Sequence, residues 1–352
     1  MEGSKGLARL LGAAVLLAVV SACADESGWT LPERRLPLPA GASPELQAAL
    51  AKVQPPRVEL ARSLVPRNVE DWKRLRAASA SGQAQAIEAL IARLGVKVAE
   101  VRMAGVTLYR VTPPRIEPRH ADHLFLYLHG GAYVLNGGRG GLTEALVIAA
   151  RLGMPVLSID YRMPPEHPFP AALDDVVAVW RALVAERPAA KVAIGGTSAG
   201  GGLALAAVHR FKALGLPLPG LVYAGTPWSD LTGVGDSYHI NEGADHLLVS
   251  WPGLLESAAR LYAGDHDRAD PLLSPVYGDF AGFPPVMLFT GTRDLFLSNT
   301  VRVHQKLRAA GVEADLLVFE GVAHGDYLGF RQTPESALAY GELGRFVARH
   351  LP

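Results

Sequence analysis

Val192-Ala193-Ile194-Gly195-Gly196-Thr197-Ser198-Ala199-Gly200-Gly201-Gly202-Leu203-Ala204-Leu205-Ala206-Ala207 is the stretch on which the reading of this chain turns. Val192 to Ile194 is a short apolar run that reads as a buried strand, and Leu203 to Ala207 is helix-forming. Between them, Gly196-Thr197-Ser198-Ala199-Gly200 has the Gly-x-Ser-x-Gly pattern in the strand, sharp turn, helix context of a nucleophile elbow. A serine at the apex of so tight a turn takes a strained backbone conformation. Side chains two residues to either side would collide, which gives Gly196 and Gly200 their physical job. The competing reading is a Gly-rich helix entry that packs closely or holds a phosphate. Against it, the glycine spacing expected of a dinucleotide site is absent.

Upstream, Leu128-His129-Gly130-Gly131-Ala132-Tyr133 ends another apolar run, Leu124 to Leu128, and matches an HGG-type oxyanion loop. Acyl transfer puts negative charge on the former carbonyl oxygen. The backbone N–H groups of Gly130, Gly131 and Ala199 are the candidates to receive it, each such donor being worth about 3–4 kcal/mol in the transition state. His129 is read as a buried, hydrogen-bonded support of this loop.

Downstream, a serine nucleophile needs a base and an orienting acid, in the chain order serine, acid, histidine. Of the eleven histidines, His304, His324 and His350 follow the acid candidates. His304 falls in a helical stretch, Val301 to Ala310, and His350 is next to the chain end. His324, in Gly321-Val322-Ala323-His324-Gly325, directly follows the last strand-like run, Leu316 to Phe319, where loops at a sheet's carboxyl edge gather functional groups. Asp294, in Thr290-Gly291-Thr292-Arg293-Asp294, follows the run Val286 to Phe289 in the same way. Its competing role is a loop salt bridge to Arg293.

Around these motifs, apolar runs at Leu124–Leu128, Pro155–Ile159, Val192–Ile194, Leu221–Ala224, Val286–Phe289 and Leu316–Phe319 alternate with helical stretches. This predicts an α/β fold, a mostly parallel sheet with helices on both faces. Val98–Val101 and Val106–Val111 read as strands around a Gly turn at the sheet edge. The interval between Ala224 and Val286 is too long for one crossover and implies an inserted lid. Before the sheet, Ser43-Pro44 and Asn68 are helix starts, and Ile87, Leu90, Ile91 and Leu94 share one helical face that Gly95 terminates.

Lys plus Arg equals Asp plus Glu at 34 each, with a pI near 7.2, so no electrostatic footprint for nucleic acid exists. Hydrophobic residues at 49% against 19% charged suffice for a sizeable core. The single cysteine excludes an intramolecular disulfide and a Cys-based zinc cluster. Lys5 and Arg9 precede the apolar run Leu10 to Val20, which is shorter than the roughly 20 residues a membrane span takes. Val20-Ser21-Ala22-Cys23 then reads as a lipobox, in which Cys23 becomes the lipidated first residue of the mature chain. The alternative is an ordinary secretory signal cut nearby. Residues 25–42 are polar and Pro-rich, a tether.

Together these motifs resemble the hormone-sensitive-lipase-like family, the bacterial family IV esterases. The most specific piece is Asp160-Tyr161-Arg162-Met163-Pro164-Pro165-Glu166-His167-Pro168-Phe169-Pro170-Ala171-Ala172, a family hallmark that supports the active-site wall, Glu166 and His167 included; Trp228-Ser229-Asp230-Leu231 is likewise familiar. The resemblance implies the α/β-hydrolase fold, with a helical cap made by an N-terminal arm and an insertion. The implied plan is a signal peptide over 1–22, a tether over 23–42, cap helices over 43–95, a catalytic domain over 96–228 and 271–352, and a cap insertion over 229–270. It also implies a metal-free, cofactor-free serine esterase acting on short-chain esters through Ser198, Asp294 and His324; the lipobox, separately, implies anchoring by lipid to a bacterial envelope membrane. A lactone or acetyl-ester hydrolase with the same triad, and a non-catalytic binding protein on the same scaffold, are the alternatives. Five positions depart from the commonest family pattern: Thr197 stands in place of Asp, Ala132 in place of a third glycine, Leu295-Phe296 in place of Pro-Leu, and Asp326 in place of Phe.

Overall fold

The computed structural model describes Glu33 and residues 35–352. The signal-like run and Cys23 lie outside the described residues. Contacts divide the chain after Pro37, and the body of the protein is Leu38–Pro352.

Three helices come first: α1 (Pro44–Leu50), α2 (Val58–Ser63) and α3 (Val69–Leu94). The Ser43 hydroxyl caps α1 by accepting from Leu46 N at 3.1 Å, with Pro44 preset for the first turn. Asn68 caps α3 in the same way, accepting from Asp71 N at 3.0 Å, and Gly95 ends it at φ 65°. The apolar face at Ile87–Leu94 therefore belongs to the same 26-residue helix that starts after Asn68. Helix α2 has no counterpart in the sequence reading. Its N-cap, Arg57, makes no side-chain cap bond and none of its residues is buried, so neither capping nor periodicity signals it.

Eight strands form one sheet: β1 (Lys97–Met103), β2 (Val106–Thr112), β3 (Leu124–Leu128), β4 (Val156–Ile159), β5 (Val192–Thr197), β6 (Leu221–Gly225), β7 (Val286–Gly291) and β8 (Ala314–Phe319). The order is β1-β2-β4-β3-β5-β6-β7-β8, antiparallel at the β1-β2-β4 edge and parallel throughout the rest. This is the α/β plan that the alternating runs predict. The strand period of two distributes side chains to two cores. Leu124, Leu126 and Leu128 of β3 and Val192 and Ile194 of β5 join one cluster, while Phe125, Tyr127 and Ala193 join the other. Helices α4 (Thr143–Leu152), α5 (Ala171–Glu186) and α6 (Ala199–Ala213) follow β3, β4 and β5. Trp180 of α5 stacks on Phe211 of α6 with ring centroids 4.9 Å apart. Each such aromatic buries enough apolar surface to contribute about 3 kcal/mol.

The insertion carries α7 (Ser237–Ile240) and α8 (Leu254–Ala263), and the remainder of it is turns. Helices α9 (Leu297–Ala309), α10 (Asp326–Gly329) and α11 (Pro334–His350) complete the chain. The arm and the insertion touch each other: Arg62 pairs with Glu242 at 2.6 Å, and a Cβ on Gly253 would lie 2.2 Å from the Ala61 carbonyl. The arm is also pinned to the body. Ser43 gives both its N–H and its hydroxyl proton to Glu335 of α11, each at 2.7 Å. Among the described residues no helix is long and apolar enough to cross a membrane.

Candidate active site

Ser198 stands between β5 and α6 at φ 62°, ψ −125°, a conformation L-residues avoid. Glycines make it possible. A Cβ on Gly196 would sit 1.9 Å from the Leu128 carbonyl oxygen, and one on Gly200 would sit 2.0 Å from the same atom. The serine's own N–H is spent on Gly225 O at 2.8 Å, and its carbonyl accepts from Gly202 N (3.0 Å) and Trp228 N (2.9 Å). A trans peptide sets N–H opposite C=O, so anchoring the Ser198 carbonyl aims the Ala199 N–H the other way. As the first residue of α6, Ala199 has no intrahelical acceptor, and the helix dipole favours an anion there.

The oxyanion loop is fixed by the same logic. The Gly130 carbonyl takes hydrogen bonds from His129 Nδ1 at 2.8 Å and Asn136 Nδ2 at 3.3 Å, which orients the N–H of Gly131. Asn136 is held in turn by Gln83 of α3 at 2.8 Å, so the N-terminal arm buttresses this loop. Gly130 backs onto the elbow, where a Cβ would lie 2.8 Å from Thr197 O and 3.2 Å from Ser198 Cβ. Gly131 has φ 117°, and Ala132 has φ 53°, a backbone conformation that glycine adopts without strain. His129 stacks on Tyr161 at 4.1 Å, and Tyr161 donates to the His129 carbonyl at 2.7 Å. Burial lowers the His129 pKa, keeping it a neutral support.

Asp294 and His324 lie in the turns after β7 and β8. His324 Nδ1 donates to Asp294 Oδ1 at 3.1 Å, and both residues are buried. Asp294 accepts further from Phe296 N at 2.9 Å and the Thr290 hydroxyl at 2.8 Å. Thr226, directly after β6, donates to Asp294 Oδ2 and stands 2.9 Å from His324 Nδ1. The sequence reading missed Thr226, although its place at a strand's carboxyl end was the available signal. Burial opposes charge on the imidazole, but the carboxylates of Asp294, Asp245 and Asp326 together reverse this and the His324 pKa lies above the ordinary value of 6.5. Burial likewise raises Asp294, and the charge and hydrogen bond of His324 reverse this to a net lowering.

A cavity of about 310 Å³ touches His324, Gly130, Gly131 and Thr197 and is walled by Gln83, Leu247, Leu328 and Arg331. None of Trp72, Leu90, Leu94, Trp228 and Trp251 lines it. Trp228 is instead wholly buried, and Trp72 faces a separate groove with α8. Beneath Thr197 lies a polar core. Glu144, fully buried, accepts from Tyr127 (3.0 Å), Tyr223 (2.8 Å) and Tyr340 (3.3 Å), and Thr197 bonds Tyr223 and Tyr327.

A family model described as α/β-hydrolase fold matches residues 125–328. The chain belongs to the α/β-hydrolase family. It is similar to the crystal structure of an esterase, at TM-score 0.91 and 46% identity over 93% of this chain and all of that one. It is also similar to an esterase structure from the bacterial hormone-sensitive lipase family, at TM-score 0.71 and 31% identity over 88% of this chain and 99% of that one. Among curated proteins it resembles an acetyl-hydrolase of Streptomyces hygroscopicus, 33% identical over 72% of this chain and 84% of that protein. An esterase of Acinetobacter venetianus is 29% identical over 72% and 82%. The protein is thus an ester-hydrolysing enzyme of the hormone-sensitive-lipase-like branch.

In this hydrolase the hallmark loop supports the site through Asp160, which accepts from Gly138 N at 2.8 Å, and through Tyr161. Glu166 and His167 lie at the surface. Glu166 pairs with Arg76 of α3, tying the arm to the body. Asp230 of the Trp-Ser-Asp-Leu segment is buried and bonded by Arg302. Asp245, Asp294 and His324 offer ligand atoms within 4.8 Å of one another, the one grouping of metal-site spacing among the described residues. The chemistry of that donor set suits an imidazole better than a cation. His324 Nδ1 is engaged by Asp294 and Thr226, and the N–H groups of Leu247, Leu248 and Leu295 point at Asp245.

Proposed function

We propose that Ser198, His324 and Asp294 act as a catalytic triad that hydrolyses short-chain carboxylic esters through an acyl-serine intermediate. Ser198 attacks the ester carbonyl while His324 takes its proton. The N–H groups of Gly130, Gly131 and Ala199 receive the oxyanion, and His324 returns the proton to the leaving alkoxide. Water then repeats the sequence on the acyl-enzyme. The observation that carries this reading is the strained Ser198 turn and the buried Asp294–His324 pair in one molecule, with the oxyanion glycines and His324 lining one cavity.

That cavity's volume of about 310 Å³ is at the small end of ligand sites, roughly 300–1,000 Å³, and supports short acyl groups. Similarity to the Streptomyces hygroscopicus acetyl-hydrolase favours acetyl esters as the second reading, with the same residues in the same roles. A fluorophosphonate probe should label the wild type and leave Ser198→Ala unlabelled; labelling of the variant would refute the assignment. A rate profile over acetyl to dodecanoyl esters and ring lactones should peak at the short linear esters. The arm over 43–95 and the insertion over 229–270 are proposed as the cap. Cys23 is proposed as a lipid anchor, on the strength of the lipobox and its being the only cysteine. Labelled palmitate should enter the wild type and not Cys23→Ser.

A further inference from the structure

The cap insertion sends one segment down to the turns that carry the acid and the base. Asn241 Nδ2 donates to the Asp294 carbonyl at 2.8 Å and approaches the Thr292 carbonyl at 3.3 Å. Asp245, wholly buried, accepts Leu295 N at 2.8 Å on Oδ2, and Leu247 N and Leu248 N at 2.9 and 3.0 Å on Oδ1. His246, the next residue, pairs at 3.2 Å with Asp326, whose other oxygen accepts Ala323 N at 2.8 Å, adjacent to His324. One short stretch therefore grips both turns. Asp245 does more than grip, because its carboxylate oxygen lies within 4.8 Å of the ligand atoms of both Asp294 and His324. Burial and the neighbouring Asp294 charge raise the Asp245 pKa, while His324 and the N–H donors on its carboxyl favour the anion.

We propose that Asp245 is a positioning residue of the triad: it fixes the Asp294 turn and places a second carboxylate beside the His324 imidazole, so that a competent triad requires the docked cap segment. The inference rests on the triad reading above. An imidazolium formed as Ser198 attacks then faces two buried acids, and their charge is felt strongly where water is excluded. The charged and titratable groups around His324 are Asp294 from the β7 turn, Asp245 from the insertion, and Asp326 from its own loop, itself paired with His246. Arg293 acts on the His246–Asp326 pair, and Glu144 and Arg331 border the same cavity. Removing the Asp245 charge lowers the basicity of His324, so the base stays neutral to lower pH.

The test is the pH dependence of kcat/KM for the full chain as wild type, Asp245→Asn, Asp294→Asn and the double variant. Asp245→Asn should lower kcat about 10- to 100-fold with KM changed less than about threefold. Its acid limb should move to lower pH, and Asp245→Glu should recover part of both effects. Asp294→Asn, with Asp245 intact, should keep some activity that the double variant loses. An acid limb that superimposes on the wild type, with loss of kcat that merely follows loss of Tm, would overturn the proposal. If Asp245→Asn does not fold, the nitrogen resonances of His324 in Asp294→Asn decide. A His324 titration still above that of free imidazole supports a second carboxylate, and one at the free value refutes it. Turnover by Ser198→Ala would instead sink the triad reading, whatever Asp245 does.

Discussion

The elbow around Ser198 and the inserted segment from Asn241 to Leu248 both border the candidate triad, and they are built by opposite means. The elbow is held by sterics: it sits between the fully buried β5 and the buried first turns of α6, and Gly196 and Gly200 leave no room for even one carbon. The cap segment is held by polar contacts from side chains to backbone, on turns rather than on regular structure. A part made by exclusion admits one conformation, whereas a part made by hydrogen bonds is sensitive to single atoms and to pH.

The largest way to break this contrast is Gly196→Ala. Its methyl would meet the Leu128 carbonyl at 1.9 Å, so the turn must deform. Activity should vanish, and stability should fall by about 3 kcal/mol or more in denaturant unfolding. A stable, active variant would show that the elbow is looser than its glycines imply.

Thr226→Val sharpens the other side, where atoms matter more than volume. It keeps the shape and removes the hydroxyl that bonds Asp294 and faces His324. A hydrogen bond to a charged group is worth about 1.5–3 kcal/mol, so kcat should fall about 10- to 100-fold with the fold intact by circular dichroism. Glu144→Gln probes the polar core under the elbow. Replacing an acceptor of tyrosine hydroxyls with an amide that must also donate should cost about 1–3 kcal/mol of stability and lower Tm. Its effect on kcat should be smaller than that of Thr226→Val.

The smallest effect belongs to a group outside the site. Burial lowers His209 from 6.5 to about 4, with its Nε2 3.1 Å from Pro275 O and its ring edge-on to Phe283. A base whose folded pKa is depressed contributes stability above its unfolded pKa and loses it as pH falls toward the folded one. Urea midpoints should therefore decline from pH 6.5 to about 4, less steeply in His209→Phe. Activity should fail first, because His324 protonates above 6.5.

What was legible in the sequence follows the same division. Strands buried on both faces announce themselves as apolar runs, as β3 to β7 do, and the half-exposed edge strand β8 also coincides with an apolar run. The turns holding Ser198, Asp294 and His324 could be placed because they follow those runs. Helix α2 could not, since it buries nothing and lacks a cap. Thr226 offers only its place at a strand's carboxyl end as a signal, and Asp245, an aspartate in an irregular insertion, offers none. Their roles exist only once the fold brings β6, β7, β8 and the cap segment together. Trp72 and Trp228 are buried in the packing and do not line the cavity beside His324.

The most direct measurement is the turnover of Ser198→Ala, His324→Ala and their double variant on one short-chain ester, each shown folded. Residues that act as a unit do not lose activity independently. Each single change should remove at least about 10⁴-fold in kcat, and the double variant should be scarcely worse than either. Losses that multiply, or a folded His324→Ala that retains substantial esterase activity, would contradict the account.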